Sequence, residues 1–256
     1  MRAPAEAIPA PEAISAPQQG SLPGWRSLPV LTSPSVSRTF RVFVLPWLVA
    51  APMVLASLDP RRFFHDGRCL FAFFSLVVGL ALENALVHPR SIAESMQPEQ
   101  ARRDRKSFEL SALTNIACFY LPVFDYLHLP ALVPRTPATL VAGIVLWESG
   151  GLLRLAAMRT LGRFFTMRVA VLGGHQVVRD GLYRHLRHPA YTGWFLLSVG
   201  LALVFGSVIG LAGATLFVLV LGWRVKVEEA ALALELGDAY RSYMLEVPYR
   251  FVPGLF

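Results

Sequence analysis

Cysteine is scarce in this chain. Only Cys69 and Cys118 occur, both inside apolar segments, with no CxxC and no histidine at ligand spacing. That excludes a disulfide framework and a cysteine-based zinc site, and predicts two free buried thiols. Charge is scarce too: 16% of the 256 residues are charged, against about 25% in a soluble domain. Lysine is nearly missing, with Lys106 and Lys226 standing among 24 basic residues. With the excess of alanine and leucine, this points to a GC-rich bacterial genome. The amino terminus lacks the basic-then-apolar pattern of a signal peptide.

What is present is apolar. Hydrophobic residues make up 54% of the chain and mean hydropathy is +0.49. Apolar runs near the length of a bilayer crossing predict an all-α, multi-span transmembrane helix bundle of about six spans. The net charge of +7 then suits cytoplasmic loops and anionic headgroups, making membrane lipids the expected partners and excluding nucleic acid. The aromatics lie inside the apolar runs, where they offer no base-stacking platform.

Residues 1–37 hold seven of the 19 prolines and are expected to be disordered, since such a composition cannot bury a core. A four-span region, 38–158, follows. Its spans are expected at Phe40–Leu58, Cys69–Val87, Phe108–Leu127 and Ala138–Met158, with DPRRFFHDGR and a polar stretch carrying RRDRK as loops. Residues 159–256 form a third part: a long connection, a helical hairpin and short carboxyl-terminal helices. The run from Ala190 to Trp223 is too long for one crossing, so it divides at Phe205-Gly206-Ser207 into spans Tyr191–Val204 and Val208–Val227. Gly237-Asp238 is expected to break the tail into two helices. With six spans, 20 of the 24 basic residues fall on one side and 4 on the other. That bias places both termini in the cytoplasm of a bacterial inner membrane, and puts two polar stretches on the same side.

The first stretch is HQVVRDGLYRHLRHPAYTG, His175 to Gly193, with three of the six histidines. Asp180-Gly181 signals a turn, and Pro189 suits the first turn of a span. His185 and His188 lack carboxylate or cysteine partners at useful spacing, so no metal is expected. The second is Arg224 to Glu229. Arg224 and Glu228, four residues apart, share one helical face, while Glu229 points elsewhere. Near bilayer depth such a pair needs a partner or a task. One reading is a snorkelling arginine paired with Glu228. The other is that Arg224 holds an anionic substrate group and Glu228 a polar or cationic part of a cofactor. Glu83, Asn84 and Glu148 are further polar groups inside spans, suited to interhelical hydrogen bonds or to lining an acceptor tunnel; Asn115 also lies inside a span.

The pattern G-x-Y-x-x-x-R-H-P-x-Y-x-G at Gly181–Gly193 resembles the isoprenylcysteine carboxyl methyltransferase family. So do R-x-x-x-E-E-x-x-L at Arg224–Leu232, L-G-x-x-Y-x-x-Y at Leu236–Tyr243 and the valine-proline ending. The resemblance covers about residues 160–253 and implies a membrane-embedded, S-adenosylmethionine-dependent methyltransferase. Carried over by motif, His175, Gln176, Val177, Val178, Tyr183, His188, Pro189, Ala190, Tyr191 and Glu228 would bind the cofactor. Arg224 would be catalytic and substrate-binding, facing a lipophilic or prenylated acceptor, and Arg168 stands where the family has another cofactor contact. A carboxylate acceptor needs no general base; an amine or thiol acceptor would leave Arg224 without a carboxylate to clamp. Two other readings use the same residues: an NADPH-dependent sterol-type reductase, whose ending VPYRFVP resembles, and a non-enzymatic membrane protein on this scaffold.

Overall fold

The computed structural model describes residues 40–87, 104, 106–252 and 254. The expected disordered tail and most of the RRDRK loop lie outside the described residues. The described chain is helical, with no strand among the described residues. A π-helical turn at Phe40–Val44 leads into α1, Leu45–Ala56, and is followed by α2, Pro60–His65, and α3, Gly67–Leu86. Then come α4, Ser107–His128, and α5, Pro137–Leu161. The long connection holds 3₁₀ turns at Gly162–Phe164 and Gly181–Arg184 before α6, Pro189–Phe205, α7, Val208–Leu236, and α8, Asp238–Glu246. Four helices, α3, α4, α5 with its 3₁₀ extension, and α7, are long and apolar enough to cross a membrane, and α1 and α6 are shorter apolar helices. The protein is a multi-pass membrane protein.

Helix boundaries follow from local chemistry. Asp66 accepts from the amides of Arg68 and Cys69 and starts α3, while Thr136 accepts from Thr139 N before Pro137 opens α5. DPRRFFHDGR, expected as a loop, folds into α2. The start signal was the dipeptide Asp59-Pro60: Asp59 caps Arg62 N and Pro60 takes the first helical position. Gly206 adopts φ 61°, which closes α6, and Ser207 caps α7 through Gly210 N. Helix α7 runs nine residues beyond the expected Val227 because VEEAALALEL contains no breaker before Gly237. At about 1.5 Å per residue its 29 residues reach about 43 Å, well past the roughly 30 Å apolar core of a bilayer. The far third of α7 therefore carries its polar residues out of the hydrocarbon.

Helices α5 and α6 pack backbone to backbone. A Cβ on Gly143 would lie 2.6 Å from Val204 N, one on Gly150 2.7 Å from the Gly193 carbonyl, and one on Gly200 2.5 Å from Trp147 N. The glycines repeat every seven residues on both helices, so the contact forms one seam. Around it Phe63, Phe73, Phe119, Trp147, Phe205 and Phe217 make the core. Leucine and valine side chains such as Leu113, Val141, Val145 and Leu219 face outward, as bilayer contact requires.

Gly200→Ala places a methyl group against the backbone of α5. It is expected to cost about 1–3 kcal/mol, read as a lowered unfolding temperature in detergent. Gly79→Ala, whose Cβ would meet nothing within 4 Å, serves as the matched control and is expected to be neutral.

Candidate functional site

An antiparallel hairpin places residues equally distant from its turn beside one another. With the turn at Gly206, Tyr191 in the first turn of α6 comes level with the stretch of α7 that begins near Leu221. There the Tyr191 hydroxyl donates to Glu228 Oε2 at 2.7 Å and accepts from Arg224 Nε at 3.0 Å. Arg224 and Glu228 are thus joined through a phenol and do not form a direct snorkelling pair. Arg224 is 3% exposed. Its guanidinium also donates to Asp104 Oδ1 at 3.3 Å, Ser107 Oγ at 3.1 Å and the Met167 carbonyl at 2.5 Å. Glu228 Oε1 accepts no hydrogen bond among the described residues.

Glu229, on the next face of α7, is buried in a knot of cations. Arg187 Nε donates to its Oε1 at 2.8 Å, and Arg250 donates to its Oε2 at 3.0 and 2.8 Å. His188 Nε2 lies 3.3 Å from Oε1. The carboxyl-terminal tail clamps the same place: Arg187 N donates to Tyr249 O, His188 N to Arg250 O and Thr192 Oγ1 to Phe251 O. From α8 the Tyr243 hydroxyl donates to the Tyr183 carbonyl at 2.8 Å, and Arg179 pairs with Glu246. The polar stretch His175–Gly193 is therefore held in one conformation by residues about 60 positions downstream.

These elements enclose a cavity of about 580 Å³. Of the expected cofactor residues, His175, Gln176, Val177, Val178, Tyr183, His188, Ala190, Tyr191 and Glu228 all line it, as does Arg224. Pro189 does not; it is buried in the first turn of α6. Tyr240 and Tyr243 pack together and also reach the cavity wall. Arg168 faces away, bonded to Glu109 at 2.7 Å and lying 3.6 Å from Asp104. Burial pulls the His175 imidazole below its ordinary value of 6.5, with Arg163 adding to the shift and Glu228 opposing it. Burial also raises the Tyr183 phenol well above its ordinary range. Both side chains are neutral near pH 7, so both act there as hydrogen-bonding or stacking surfaces.

A second cluster lies deeper. Arg154 of α5 binds Glu83 of α3 through two parallel bonds, Nε to Oε1 at 2.5 Å and Nη2 to Oε2 at 3.0 Å. Its guanidinium stacks 4.0 Å above the ring of Trp194. All three residues line the cavity, and Arg154 Nη1 makes no hydrogen bond among the described residues. Glu83, expected to bond between spans or to line a tunnel, does both, and its partner Arg154 is a residue to which the sequence patterns assign no role. Its position seven residues before the end of a span was the overlooked signal. Beyond this neck the cavity continues between α3, α4 and α5. Val78, Ile116 and Leu152 line it there while remaining 56%, 52% and 67% exposed, so this end opens sideways toward lipid. Among the described residues no group of three histidine, cysteine or acidic side chains is placed to hold a metal.

Residues 142–234 match the model of the isoprenylcysteine carboxyl methyltransferase (ICMT) family. Over these residues the chain is similar to that family. The matched segment begins in α5 and ends near the foot of α7, so it contains the hairpin, Tyr191, Arg224 and both glutamates. Similar proteins include the protein-S-isoprenylcysteine O-methyltransferases of Schizosaccharomyces pombe, 37% identical over 39% of this chain and 43% of that protein, and of Xenopus laevis, 33% identical over 42% and 38%. The Dictyostelium discoideum enzyme of the same name is 27% identical over 58% of this chain and 61% of its own length. The chain thus spans between 38% and 61% of these relatives.

Two outcomes test the site's construction. Glu229→Ala leaves Arg187 buried without its carboxylate and is expected to cost about 3–5 kcal/mol, measured by thermal unfolding in detergent. His175 is neutral in the folded protein and titrates normally when unfolded, so the unfolded state binds more protons as pH falls. Stability should therefore decline from about pH 6.5 downward until the depressed folded value is passed. His175→Phe, which keeps the stack on Phe164, should flatten that decline.

Proposed function

We propose that the protein is an integral-membrane methyltransferase. It uses S-adenosylmethionine and methylates the carboxylate of an isoprenylcysteine-like or other lipophilic acceptor at the cytoplasmic face of a bacterial inner membrane. The observation that carries this reading is the single cavity with two unlike ends. A polar end built from the His175–Gly193 stretch and α7 meets an apolar end open to lipid, with the Glu83–Arg154 pair at the neck. The family match favours methyl transfer over nicotinamide-dependent reduction.

The residues at the polar end fit the cofactor. Its ammonium and ribose hydroxyls want a carboxylate, which Glu228 offers through Oε1. Its adenine and sulfonium want aromatic and apolar cover, which Tyr183, Tyr191 and Val178 supply. A volume of about 580 Å³ is in the usual range for such ligands. When bound, the cofactor supplies a methyl group on a sulfonium, ready for in-line displacement.

The chain's own part is to align and to desolvate. A carboxylate acceptor is already ionised, so alignment replaces a general base. Arg154 presents Nη1 to the cavity from a guanidinium locked by Glu83 and Trp194, a fixed donor for an acceptor oxygen. Arg224, expected to clamp the acceptor itself, borders the same space, and its present bonds hold Tyr191 and Glu228 in place. Water is excluded by the apolar walls, which strengthens each of these contacts.

Calorimetric titration of the detergent-purified protein with S-adenosylmethionine and with NADPH should show binding of the first alone; the reverse result would select the reductase. Glu228→Ala should weaken S-adenosylmethionine binding by about tenfold or more, the loss of one charge-assisted contact. Arg154→Lys should raise the acceptor KM while leaving S-adenosylmethionine affinity unchanged, since a lysine cannot keep the bidentate hold on Glu83. Arg224→Ala should abolish turnover.

A further inference from the structure

Most polar groups in the lipid-open part of the cavity have a partner. The Tyr120 hydroxyl donates to the Val49 carbonyl, Ser75 Oγ to Ala72 O and, nearby on α3, Asn84 Nδ2 to Leu80 O. Asn115 and Glu148 do not. Asn115 Nδ2 is buried with no hydrogen-bond partner. The Glu148 carboxyl has no hydrogen bond or ion pair among the described residues. Both line the cavity. Glu148 shares its face of α5 with Gly151, Leu152 and Leu155, at positions i, i+3, i+4 and i+7, and all four border the cavity. Asn115 lies one turn along α4 from Phe119, whose ring centroid is 5.5 Å from that of Trp147, the neighbour of Glu148 in sequence. The two groups are therefore about one helical turn apart in depth on different walls of the cavity, the Asn115 amide nitrogen buried and the Glu148 side chain exposed.

An unpaired amide and an unpaired carboxyl within a span are costly, and a plain hydrocarbon chain lying against them would relieve neither. We propose that the apolar end of the cavity is a second recognition site, for an oxygen function carried partway along the acceptor's chain. The inference rests on the methyltransferase reading only in naming the occupant as the acceptor. A hydroxyl fits the chemistry best: it accepts from an amide N–H and donates to a carboxyl. Its place along the chain follows from α5. Arg154 and Glu148 are six residues apart, so the oxygen sits about 9 Å from the group held at the neck. The acceptor class is then an oxygenated lipophilic acid, distinct from one bearing an unsubstituted prenyl or alkyl tail.

The test uses S-alkyl thiopropionic acids of equal length, one plain and the others hydroxylated at successive positions. Binding is read from quenching of intrinsic tryptophan fluorescence, because Trp147 and Trp194 line the cavity, and needs no turnover. The acid with its hydroxyl about 9 Å from the carboxylate should bind about tenfold tighter than the plain acid, the worth of one good buried hydrogen bond. An Asn115→Leu/Glu148→Leu double variant, which places leucine in apolar surroundings, should lose that preference and bind the plain acid at least as well as the parent does. Equal binding of the two acids by the parent, or a preference that persists in the double variant, overturns the proposal. Titration of S-adenosylmethionine on the same preparation separates the two readings. If it fails to bind while the hydroxyl preference stands, the methyltransferase reading falls and the recognition site remains.

Discussion

Charge brought to the edge of a membrane must be matched by opposite charge, and that requirement organises the polar end of this protein. Three acid–base groupings meet it. Glu229 is shared by Arg187 and Arg250, Arg224 is held by Asp104, and Arg154 by Glu83. Each joins elements far apart in the chain. Because a broken buried pair leaves an uncompensated ion, each grouping fixes a distance between helices more firmly than apolar contact could. The ties join α3 to α5, α7 to the segment before α4, and α7 to both the connection and the tail, while the glycine seam draws α5 and α6 together along their length.

This arrangement divides labour between adjacent residues. Glu228 keeps an oxygen toward the cavity, whereas Glu229, one position on and a hundred degrees around the helix, is spent entirely on structure. The arginines divide similarly. Arg224 has all three of its nitrogens bonded to internal partners, while Arg154 makes no hydrogen bond at Nη1 among the described residues. A group that is to meet a ligand must have hydrogen-bonding capacity left over, and the number of satisfied donors separates the two roles more clearly than charge or burial does.

Much of the architecture was legible in the chain itself. The spans followed from apolar run length, the hairpin turn from Phe205-Gly206-Ser207, and the break at Gly237 from a glycine after a long run of helix formers. The candidate cofactor residues between His175 and Tyr191, with Arg224 and Glu228, border one space, apart from Pro189, whose ring is consumed in starting α6. What escaped notice lacked a local signature. Helix α2 hid in a stretch whose charges resembled a loop. The Glu229 knot needed Arg250, 21 residues later. Arg154 and Glu83 are 71 residues apart, with nothing in either neighbourhood naming the other.

The sequence by itself determined that this is a helical membrane protein, where its crossings turn, and which polar stretches come to border its cavity. Those properties depend on hydropathy, on backbone preference at glycine and proline, and on spacing within a single helix, all of which act over a few residues. The tertiary structure alone decided which carboxylate faces the cavity and which is buried in salt bridges, and which arginine keeps a free donor. It also decided that the polar end continues into a lipid-open tunnel with Asn115 and Glu148 unpartnered. Those outcomes depend on what stands across the gap between helices, a distance that no local pattern encodes.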